Sequence, residues 1–491
     1  MIMAITKDGE RKVVDDVAKG LYIDGEWVDA AGGKTFTIED PSTGNALCEV
    51  ADADRDDAMR ALAAASEAGP SWASTPPRER GEILRRAFEM MNERADDLAL
   101  LMTLEMGKAL AESKAEISYA AEFFRWFAEE SVRIEGDYKV AANGQGRTLI
   151  MRQPVGPCVL ITPWNFPTAM GTRKIGPAIA AGCTMIMKPA QLTPLSMNVL
   201  TQILEGAGLP PGVLNVVNTS SSGPTIAPLI DDPRTRKLSF TGSTEVGRKL
   251  MEQASKNLLR ASMELGGNAP FIVFEDADLD AAAEGAMIAK LRNMGESCVA
   301  ANRFYVAESL AEDFSSKLAD KMGSLRVGRG TDEDTDIGPL IDENQRTKVV
   351  ELVDDAVSKG AKPVVGGGKV SGAGYFFEPT VLSNVPGDAR LLKEEIFGPV
   401  APVATFSTED EVIAAANDTE FGLVAYVFTE SLKRGLRVIE RLETGMVGLN
   451  KGLVSNPAAP FGGVKHSGFG REGGREGIHE YLEVKNVAVD L

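Results

Sequence analysis

An alternation of short apolar runs with segments of helical periodicity, beginning after Gly146, constrains the fold most strongly. Four of the runs are PCVLITPW, CTMIMKPA, VLNVVN and RKLSFTG, and the segments between them include LSMNVLTQILEGAG and STEVGRKLMEQASK. Continuous apolar runs are typical of strands buried on both faces of a parallel sheet, and parallel strands need helical crossovers between them. The pattern therefore predicts an α/β fold with a doubly wound, Rossmann-type nucleotide-binding domain.

A second set of alternating segments follows ELGGNAPFIVFED. Its helical segments are DLDAAAEGAMIAKLRNMG, NQRTKVVELVDDAVSKG and EDEVIAAAND, and its apolar runs include VV, VATF and AYVF. We therefore expect a second α/β domain that begins near Glu264. Residues 77–134 carry apolar residues at helical spacing and predict a packed layer of helices. The final segment, HEYLEVKNVAVDL, predicts an added strand able to pair with another subunit.

Composition disfavours several classes of partner and site. The 52 Lys and Arg residues face 71 Asp and Glu residues, and a net charge of −19 repels nucleic acid and anionic membrane surfaces. No apolar run approaches the roughly 18 residues of a membrane span, and the N-terminus lacks a secretory apolar segment, so we expect a cytoplasmic protein. With four scattered cysteines and two histidines, we expect neither a disulfide framework nor a metal site.

Two glycine-containing segments compete as the phosphate-binding loop. The G-x-G-x-x-G match at residues 468–473 lacks a strong preceding strand and a following βαβ unit, so we interpret it as an ordinary loop. In LSFTGSTEVGRKL, a helix is predicted to start at Ser243, directly after a strand-like run and Gly242. The free N–H groups of such a helix start favour a pyrophosphate, although a plain Ser-capped helix is the better interpretation of this motif alone.

Cys298 is the candidate nucleophile. It follows a glycine in NMGESCVAANR, whereas Cys158 and Cys183 lie in apolar runs and are interpreted as buried structural thiols. Polar surroundings with backbone N–H dipoles or a nearby cation favour the thiolate, which is the reactive form. A structural role is the alternative for Cys298 as well.

Two further groups fit chemistry at a carbonyl. Glu264 lies between Met263 and Leu265, where partial desolvation would raise its pKa toward that of a useful general base. The alternative for Glu264 is a solvated carboxylate at the end of a strand. Asn165 follows a buried run in ITPWNFP and has an amide able to donate to an oxyanion. Each of these motifs is weak by itself.

Seven motifs occur together in the order and spacing of aldehyde dehydrogenases. They are ITPWNFP, the KP of MKPA, FTGSTEVG, MELGGNAP, GESC, EEIFGPV and PFGGVKHSG. Over roughly residues 20–490 the chain resembles this family, and within it the succinate-semialdehyde dehydrogenases most, at PWNFP…TRKIGPA and RNMGESC. The resemblance implies an aldehyde dehydrogenase-like fold that forms homodimers or homotetramers. The implied parts are a cofactor-binding domain (1–135 and 155–263), a catalytic domain (264–474) and an oligomerisation hairpin with a bridging strand (136–154 and 475–491).

The resemblance also implies the roles of the site residues. Cys298 attacks the aldehyde carbonyl, the Asn165 amide and the Cys298 N–H hold the oxyanion, and hydride passes to a nicotinamide. Glu264 then deprotonates the water that hydrolyses the thioester. The implied cofactor-binding residues are Thr162, Trp164, Lys188, Gln191, Gly242, Ser243, Glu395 and Phe397. The alternative interpretation of Glu395 is that it is a solvent-exposed charge next to Glu394.

Three positions depart from patterns seen in relatives. Gln191 stands where NAD-preferring relatives often have a glutamate against the ribose hydroxyls. An amide does not repel a 2′-phosphate, so we predict the use of NADP, with NAD as a second cofactor. Ala300 replaces the cysteine with which some relatives form a local disulfide, and we do not expect that switch here. Glu296 stands where many members have glutamine, with an effect that the sequence does not define.

The resemblance points to Arg173, Arg292 and Ser455 as ligands of a carboxylate at the far end of the substrate. Guanidinium groups bind carboxylates in a bidentate manner, so we expect a small carboxylate-bearing aldehyde, succinate semialdehyde in particular. Ion-paired surface arginines are the alternative. A longer substrate such as glutarate semialdehyde would use the same groups. Glu264 disfavours a CoA-acylating enzyme, and the intact catalytic set disfavours a non-catalytic member of the fold.

Overall fold

The computed structural model describes residues 6–490. Up to Gly206 its helices and strands are α1 (Lys7–Asp15), β1 (Leu21–Ile23), β2 (Glu26–Val28), β3 (Thr35–Asp40), β4 (Asn45–Ala51), α2 (Arg55–Ser74), α3 (Pro77–Glu93), α4 (Ala95–Met106), α5 (Leu110–Glu130), β5 (Asp137–Val140), β6 (Arg147–Pro154), β7 (Cys158–Ile161), α6 (Pro167–Ala181), β8 (Met185–Lys188) and α7 (Pro194–Gly206).

The remaining elements are β9 (Leu214–Val216), α8 (Ser222–Asp231), β10 (Lys237–Thr241), α9 (Thr244–Ser255), β11 (Arg260–Glu264), β12 (Ala269–Val273), α10 (Leu279–Leu291), β13 (Ala301–Ala307), α11 (Ala311–Gly323), α12 (Glu343–Ser358), β14 (Lys362–Val365), β15 (Thr380–Ser383), β16 (Val400–Phe406), α13 (Glu409–Asn417), β17 (Phe421–Gly422), β18 (Val424–Phe428), α14 (Leu432–Arg441), β19 (Met446–Leu449), β20 (Val464–Lys465), β21 (Gly468–Phe469), α15 (Glu476–His479) and β22 (Leu482–Val489).

The larger sheet has eight strands in the order β2-β1-β9-β8-β7-β10-β11-β21. Its five central strands, from β9 to β11, are parallel to one another, and every residue of β7, β8 and β10 is buried. The predicted doubly wound sheet is therefore confirmed. The strand order reverses between β7 and β10, and ligands of open α/β sheets bind at the carboxyl ends of the strands beside such a reversal.

The second sheet has seven strands in the order β14-β15-β16-β13-β12-β18-β19, all parallel except for the pairing of β14 with β15. The chain enters it at β12, soon after β11 ends at Glu264, as the alternation of segments predicted. Aromatic residues fill its core; the rings of Phe271 and Phe428 are stacked with centroids 4.9 Å apart. Near the end of the chain, β21 returns to the first sheet and pairs antiparallel with β11. The boundaries of the domains stay a prediction.

A third, antiparallel sheet lies apart from the two main sheets and has the order β22-β6-β5. The pairing of β22 with β6 runs without interruption from Leu482 opposite Pro154 to Val489 opposite Arg147. The sequence predicted both the hairpin and the terminal strand, but it did not predict that they pair with each other.

The predicted layer of helices at residues 77–134 is confirmed as α3, α4 and α5. Helix α5 packs against α6 so closely that a Cβ atom added at Gly176 would lie 3.1 Å from the ring of Phe127. At the start of α6, beside the candidate site, Glu116 of α5 accepts from the N–H groups of Thr168 and Ala169. Within residues 6–490, none of the helices is both long enough and apolar enough to span a bilayer.

Candidate active site

Cys298 lies in the loop between α10 and β13. The loop backbone is left-handed at Asn293 and Met294, with φ of 54° at both, and again at Gly295, with φ of 79°. A Cβ atom at Gly295 would lie 2.3 Å from the carbonyl oxygen of Gly398, so only glycine fits this turn. Cys298 is half-buried, whereas Cys158 and Cys183 are fully buried, as predicted.

Cys298, Glu264 and Asn165 line one cavity of about 220 Å³. Glu264 is the last residue of β11, and Asn165 lies in the loop between β7 and α6. The loop that follows β11 approaches the Cys298 loop closely, because a Cβ atom at Gly267 would lie 2.3 Å from the carbonyl oxygen of Cys298. The fold therefore brings together the three groups that sequence motifs singled out.

The Cys298 thiol is not activated by its surroundings alone. Burial is the main reason that its pKa is raised to about 12, and nearby Glu395 and Glu264 contribute to the rise. Arg173 exerts the largest opposing influence and lowers the pKa, followed by Arg292. The polar surroundings seen in the sequence include cations, as expected, but the removal of water outweighs their effect. The thiol is therefore protonated at neutral pH and must lose its proton when it attacks.

Glu264 has the properties expected of a base in a dry cavity. Burial and then the negative charge of Glu472 raise its pKa well above the usual value, while Arg173 and Lys174 lower it. Neither carboxyl oxygen of Glu264 has a hydrogen-bond partner within residues 6–490. Both oxygens are thus free to accept a proton from water or from a thiol.

Sequence motifs missed a buried pair of charges beside Glu264. Lys174 Nζ donates to Glu472 Oε1 at 2.6 Å and to Ser239 Oγ at 2.9 Å. Arg173 Nη1 lies 3.6 Å from Glu472 Oε2. Glu472 belongs to the glycine-rich segment 468–473, which was interpreted from the sequence as an ordinary loop. The one sequence feature that could have indicated the buried pair is an acidic residue among those glycines.

Asn165 is buried, with 4% of its surface exposed. Its Nδ2 donates one hydrogen bond, of 3.0 Å, to the carbonyl oxygen of Glu296. A primary amide has two N–H bonds, so the second is available to a ligand in the cavity.

A cleft of about 670 Å³ opens at the reversal of the strand order in the first sheet, and six of the eight predicted cofactor residues line it. The six are Thr162, Trp164, Lys188, Gln191, Gly242 and Ser243. The cavity around Cys298 adjoins the cleft, since it shares Trp164, and it is also lined by Glu395 and Phe397. The rings of Trp164 and Phe397 meet edge to face with centroids 5.5 Å apart. The structure thus brings all eight residues together.

The charges of this cleft fit an anionic cofactor. Burial alone lowers the pKa of Lys188 to about 8, and Lys188 forms no salt bridge within the described part of the chain. A phosphate would supply the missing negative charge. Ser243 caps α9 by accepting from Val246 N. The start of this helix faces the cleft, but it therefore also fits the interpretation as a plain Ser-capped helix. Glu395 is no surface charge, because it lines the cavity and accepts from Gly267 N at 3.1 Å. Burial raises its pKa to about 7.

None of the three predicted substrate residues lines the cavity around Cys298, although Arg173 and Arg292 lie close enough to lower the pKa of Cys298. The two arginines differ in their partners. Arg292 Nη1 donates to Ser455 Oγ at 3.3 Å, and its guanidinium lies 5.3 Å from the ring of Tyr119. Within residues 6–490 no carboxylate forms a salt bridge with Arg292. Arg173 is only 2% exposed, donates to Tyr119 Oη at 2.8 Å and is paired with Glu472. Arg292 is therefore the unpaired cation.

Glu296, the residue of undefined effect, is fully buried. Its Oε1 accepts from Ile341 N at 3.1 Å, and its Oε2 has no hydrogen-bond partner within residues 6–490. Burial, aided by Asp342, raises its pKa well above the usual value. The raised pKa favours the neutral, protonated form of this carboxyl.

The fold and the site match one class of enzyme. The model of the aldehyde dehydrogenase family matches residues 27–487, and this chain belongs to that family. It is 57% identical to a succinate-semialdehyde dehydrogenase of Paenarthrobacter nicotinovorans over 90% of this chain and 98% of the relative. It is 52% identical to a glutarate-semialdehyde dehydrogenase of Pseudomonas putida over 96% and 97%. A crystal structure described as an NADP-dependent enzyme of Escherichia coli is 51% identical, with a TM-score of 0.96 over 97% of this chain and 98% of that one.

Proposed function

We propose that this chain oxidises a small aldehyde with a carboxylate at its far end, succinate semialdehyde in particular, to the carboxylic acid with NADP⁺ or NAD⁺ as hydride acceptor. The observation that carries the proposal is Arg292, a cation beside Ser455 that lacks an acid partner among the described residues and lies near enough to lower the pKa of Cys298. The names of the relatives, which act on semialdehydes, support the same substrate class.

Each catalytic residue has one task in this proposal. Cys298 Sγ bonds to the aldehyde carbon and gives its proton to Glu264, while the second N–H of Asn165 and the Cys298 N–H stabilise the oxyanion. A bound nicotinamide dinucleotide supplies the hydride acceptor. Glu264, after losing its proton, takes one from the water that hydrolyses the thioester on Cys298 and releases the acid.

The substrate class is tested by comparing succinate semialdehyde with butanal, an uncharged aldehyde of the same chain length. In Arg292→Gln we expect kcat/KM for succinate semialdehyde to fall by about 10- to 100-fold, because a charge-assisted hydrogen bond is lost. The kcat/KM for butanal should change little. Arg437→Gln, which alters an exposed arginine paired with Glu409, is the matched control. Equal activity of the wild-type enzyme on both aldehydes would contradict the proposal.

Glutarate semialdehyde is the second candidate substrate, because a relative that is 52% identical is named for it. Arg292 would bind its carboxylate too, although the carboxylate lies one methylene group farther from the aldehyde carbon. Values of kcat/KM for the two semialdehydes decide between them, and a higher value for glutarate semialdehyde would replace the first candidate.

We propose that NADP⁺ is the cofactor, that Lys188 binds it and that Gln191 does not repel its 2′-phosphate. Support comes from the unpaired Lys188 ammonium and from the absence of a carboxylate at position 191. Kinetics with both cofactors, in wild type and Gln191→Glu, test the assignment. The glutamate should weaken the binding of NADP⁺ far more than that of NAD⁺. A strict preference of the wild type for NAD⁺ would overturn the assignment.

We further propose the division into a cofactor-binding domain (1–135, 155–263), a catalytic domain (264–474) and an oligomerisation segment (136–154, 475–491). The third sheet supports the last part, since it exposes the apolar side chains of Tyr138, Val140 and Val484. A homodimer or homotetramer would cover them. The cysteines are all free thiols, which supports the proposed cytoplasmic location.

A further inference from the structure

The side chain of Asn293 joins the loop that carries Asn165 to the loop that carries Cys298. Its Nδ2 donates to the carbonyl oxygen of Asn165 at 2.9 Å and to that of Glu296 at 2.9 Å. The Glu296 carbonyl also accepts the 3.0 Å hydrogen bond from Asn165 Nδ2. Two amide side chains therefore converge on the same carbonyl, two residues before the nucleophile.

This arrangement fixes the direction of the Asn165 amide. With one N–H of Nδ2 held by the Glu296 carbonyl, the planar amide leaves its second N–H a single direction. If the Glu296 carbonyl turned away, the Asn165 amide would lose its anchor. Asn293 prevents that rotation by holding the carbonyl from a second side.

The backbone conformation of Asn293 places its side chain between the two loops. Its φ is 54°, a left-handed conformation that asparagine adopts more readily than most residues. Its N–H donates to Glu112 Oε1 at 2.7 Å; Asn293 is buried, and Glu112 is half-buried. The left-handed turn therefore depends on an acceptor supplied by helix α5.

Helix α5 holds the Asn165 loop as well. Glu116, one helical turn after Glu112, accepts from the backbone N–H groups of Thr168 and Ala169, both at 3.1 Å. Lys108, just before the helix, pairs with Glu116 and donates to the carbonyl oxygen of Asn165 at 2.9 Å. One rigid element thus supports both loops.

We propose that Asn293 is a positioning residue: it aims the oxyanion-donating amide of Asn165 by locking the nucleophile loop to the oxyanion loop, with Glu112 holding its backbone. The inference rests on the proposed function, in which Asn165 stabilises an oxyanion. It assigns to Asn293 and Glu112 a role in turnover although neither lines the cavity around Cys298.

The test variant is Asn293→Gly, which deletes the amide and leaves a residue that adopts a left-handed backbone freely. Asn450→Gly is the matched control, because Asn450 is also left-handed, with φ of 51°, and its side chain also bonds to backbone, at Thr429. We expect kcat to fall on the order of 10- to 100-fold in Asn293→Gly, as for a donor misplaced by about 1 Å, and to change little in Asn450→Gly.

Two further measurements separate positioning from general damage. In the Asn165→Ala background, Asn293→Gly should cause little additional loss of kcat, because Asn293 acts through Asn165. The rate of Cys298 alkylation by iodoacetamide, a reaction that needs no oxyanion donor, should stay within about twofold of wild type. Multiplicative losses in the double variant, or wild-type kcat in Asn293→Gly, would overturn the inference.

If Asn293→Gly does not fold, Asn293→Asp serves instead, since it keeps the size and the left-handed tolerance but replaces the donating group by an acceptor. It is expected to lose kcat at least as strongly, and wild-type kcat would overturn the inference. A wild-type enzyme without aldehyde-dependent reduction of the cofactor would reject the proposed function itself. That outcome is distinct from an active wild type in which the two asparagines act independently.

Discussion

At the scale of single residues, the site combines acids and a thiol whose pKa values are all raised by burial. Arg173 is the side chain that most opposes this effect at Cys298, and it also lowers the pKa of Glu264. Its guanidinium lies 4.0 Å from the ring of Phe461 in a nearly dry environment, where charges act strongly on one another. Arg173 thus acts on the electrostatics of both Cys298 and Glu264.

We therefore predict that Arg173→Gln shifts the ionisation of Cys298 to higher pH. The measurement is the rate of iodoacetamide alkylation of Cys298 as a function of pH, with Cys298→Ala as the control for other thiols. The rate should rise with pH in both proteins, and at any given pH it should be lower in the variant. A profile that is unchanged or displaced to lower pH would contradict the assigned influence of Arg173.

Glu296 leads to a prediction on stability. Because its pKa is raised from 4.5 in the folded chain, the unfolded chain loses this proton first as pH rises. Between the two pKa values the free energy of unfolding therefore falls, by up to about 1.4 kcal/mol per pH unit from this group. Glu296→Gln does not titrate, so its Tm relative to wild type should increase as the pH rises above about 5. A constant difference in Tm would contradict the raised pKa.

At the scale of elements, the long buried strands and amphipathic helices were predictable because each carries its periodicity locally. Strand β21, with two residues, has no periodicity, and its return to the first sheet was not predictable. The same limit applies to the site. Cys298, Glu264 and Asn165 stand in recognisable motifs, whereas the pairing of Lys174 with Glu472 joins residues far apart in the chain and leaves no local pattern.

The left-handed turn before Cys298 gives a prediction at this scale. Gly295→Ala places a Cβ atom 2.3 Å from a backbone oxygen, whereas Gly144→Ala, at a similar φ of 77°, meets nothing within 4 Å. Both variants bear a strain of about 1 kcal/mol from the left-handed backbone. Only Gly295→Ala should also displace the nucleophile, so kcat should fall there by about 10-fold or more and stay near wild type in Gly144→Ala. Equal kcat in the two variants would contradict the assigned role of the turn.

At the scale of the whole molecule, the third sheet links residues 137–154 to residues 482–489 and exposes apolar side chains to water. Val140 and Tyr138 point to one face of β5 and Lys139 to the other, since side chains alternate along a strand. We predict that Val140→Asp shifts the protein from an oligomer toward the monomer, and that Lys139→Asp does not. Light scattering coupled to size-exclusion chromatography measures the masses, and a monomeric wild type would contradict the proposed assembly.

The central claim is that a sulfur, a carboxyl and an amide from three distant parts of the chain act on one carbonyl carbon. Intact-protein mass spectrometry of Glu264→Gln after mixing with succinate semialdehyde and NADP⁺ tests it most directly. We predict a covalent adduct of one acyl group on Cys298 with one equivalent of reduced cofactor. The adduct should form more slowly than in wild type, because Glu264 no longer takes the thiol proton, and it should then persist, because hydrolysis lacks its base. Unimpaired steady-state turnover, or reduced cofactor without any adduct on Cys298, would contradict the account.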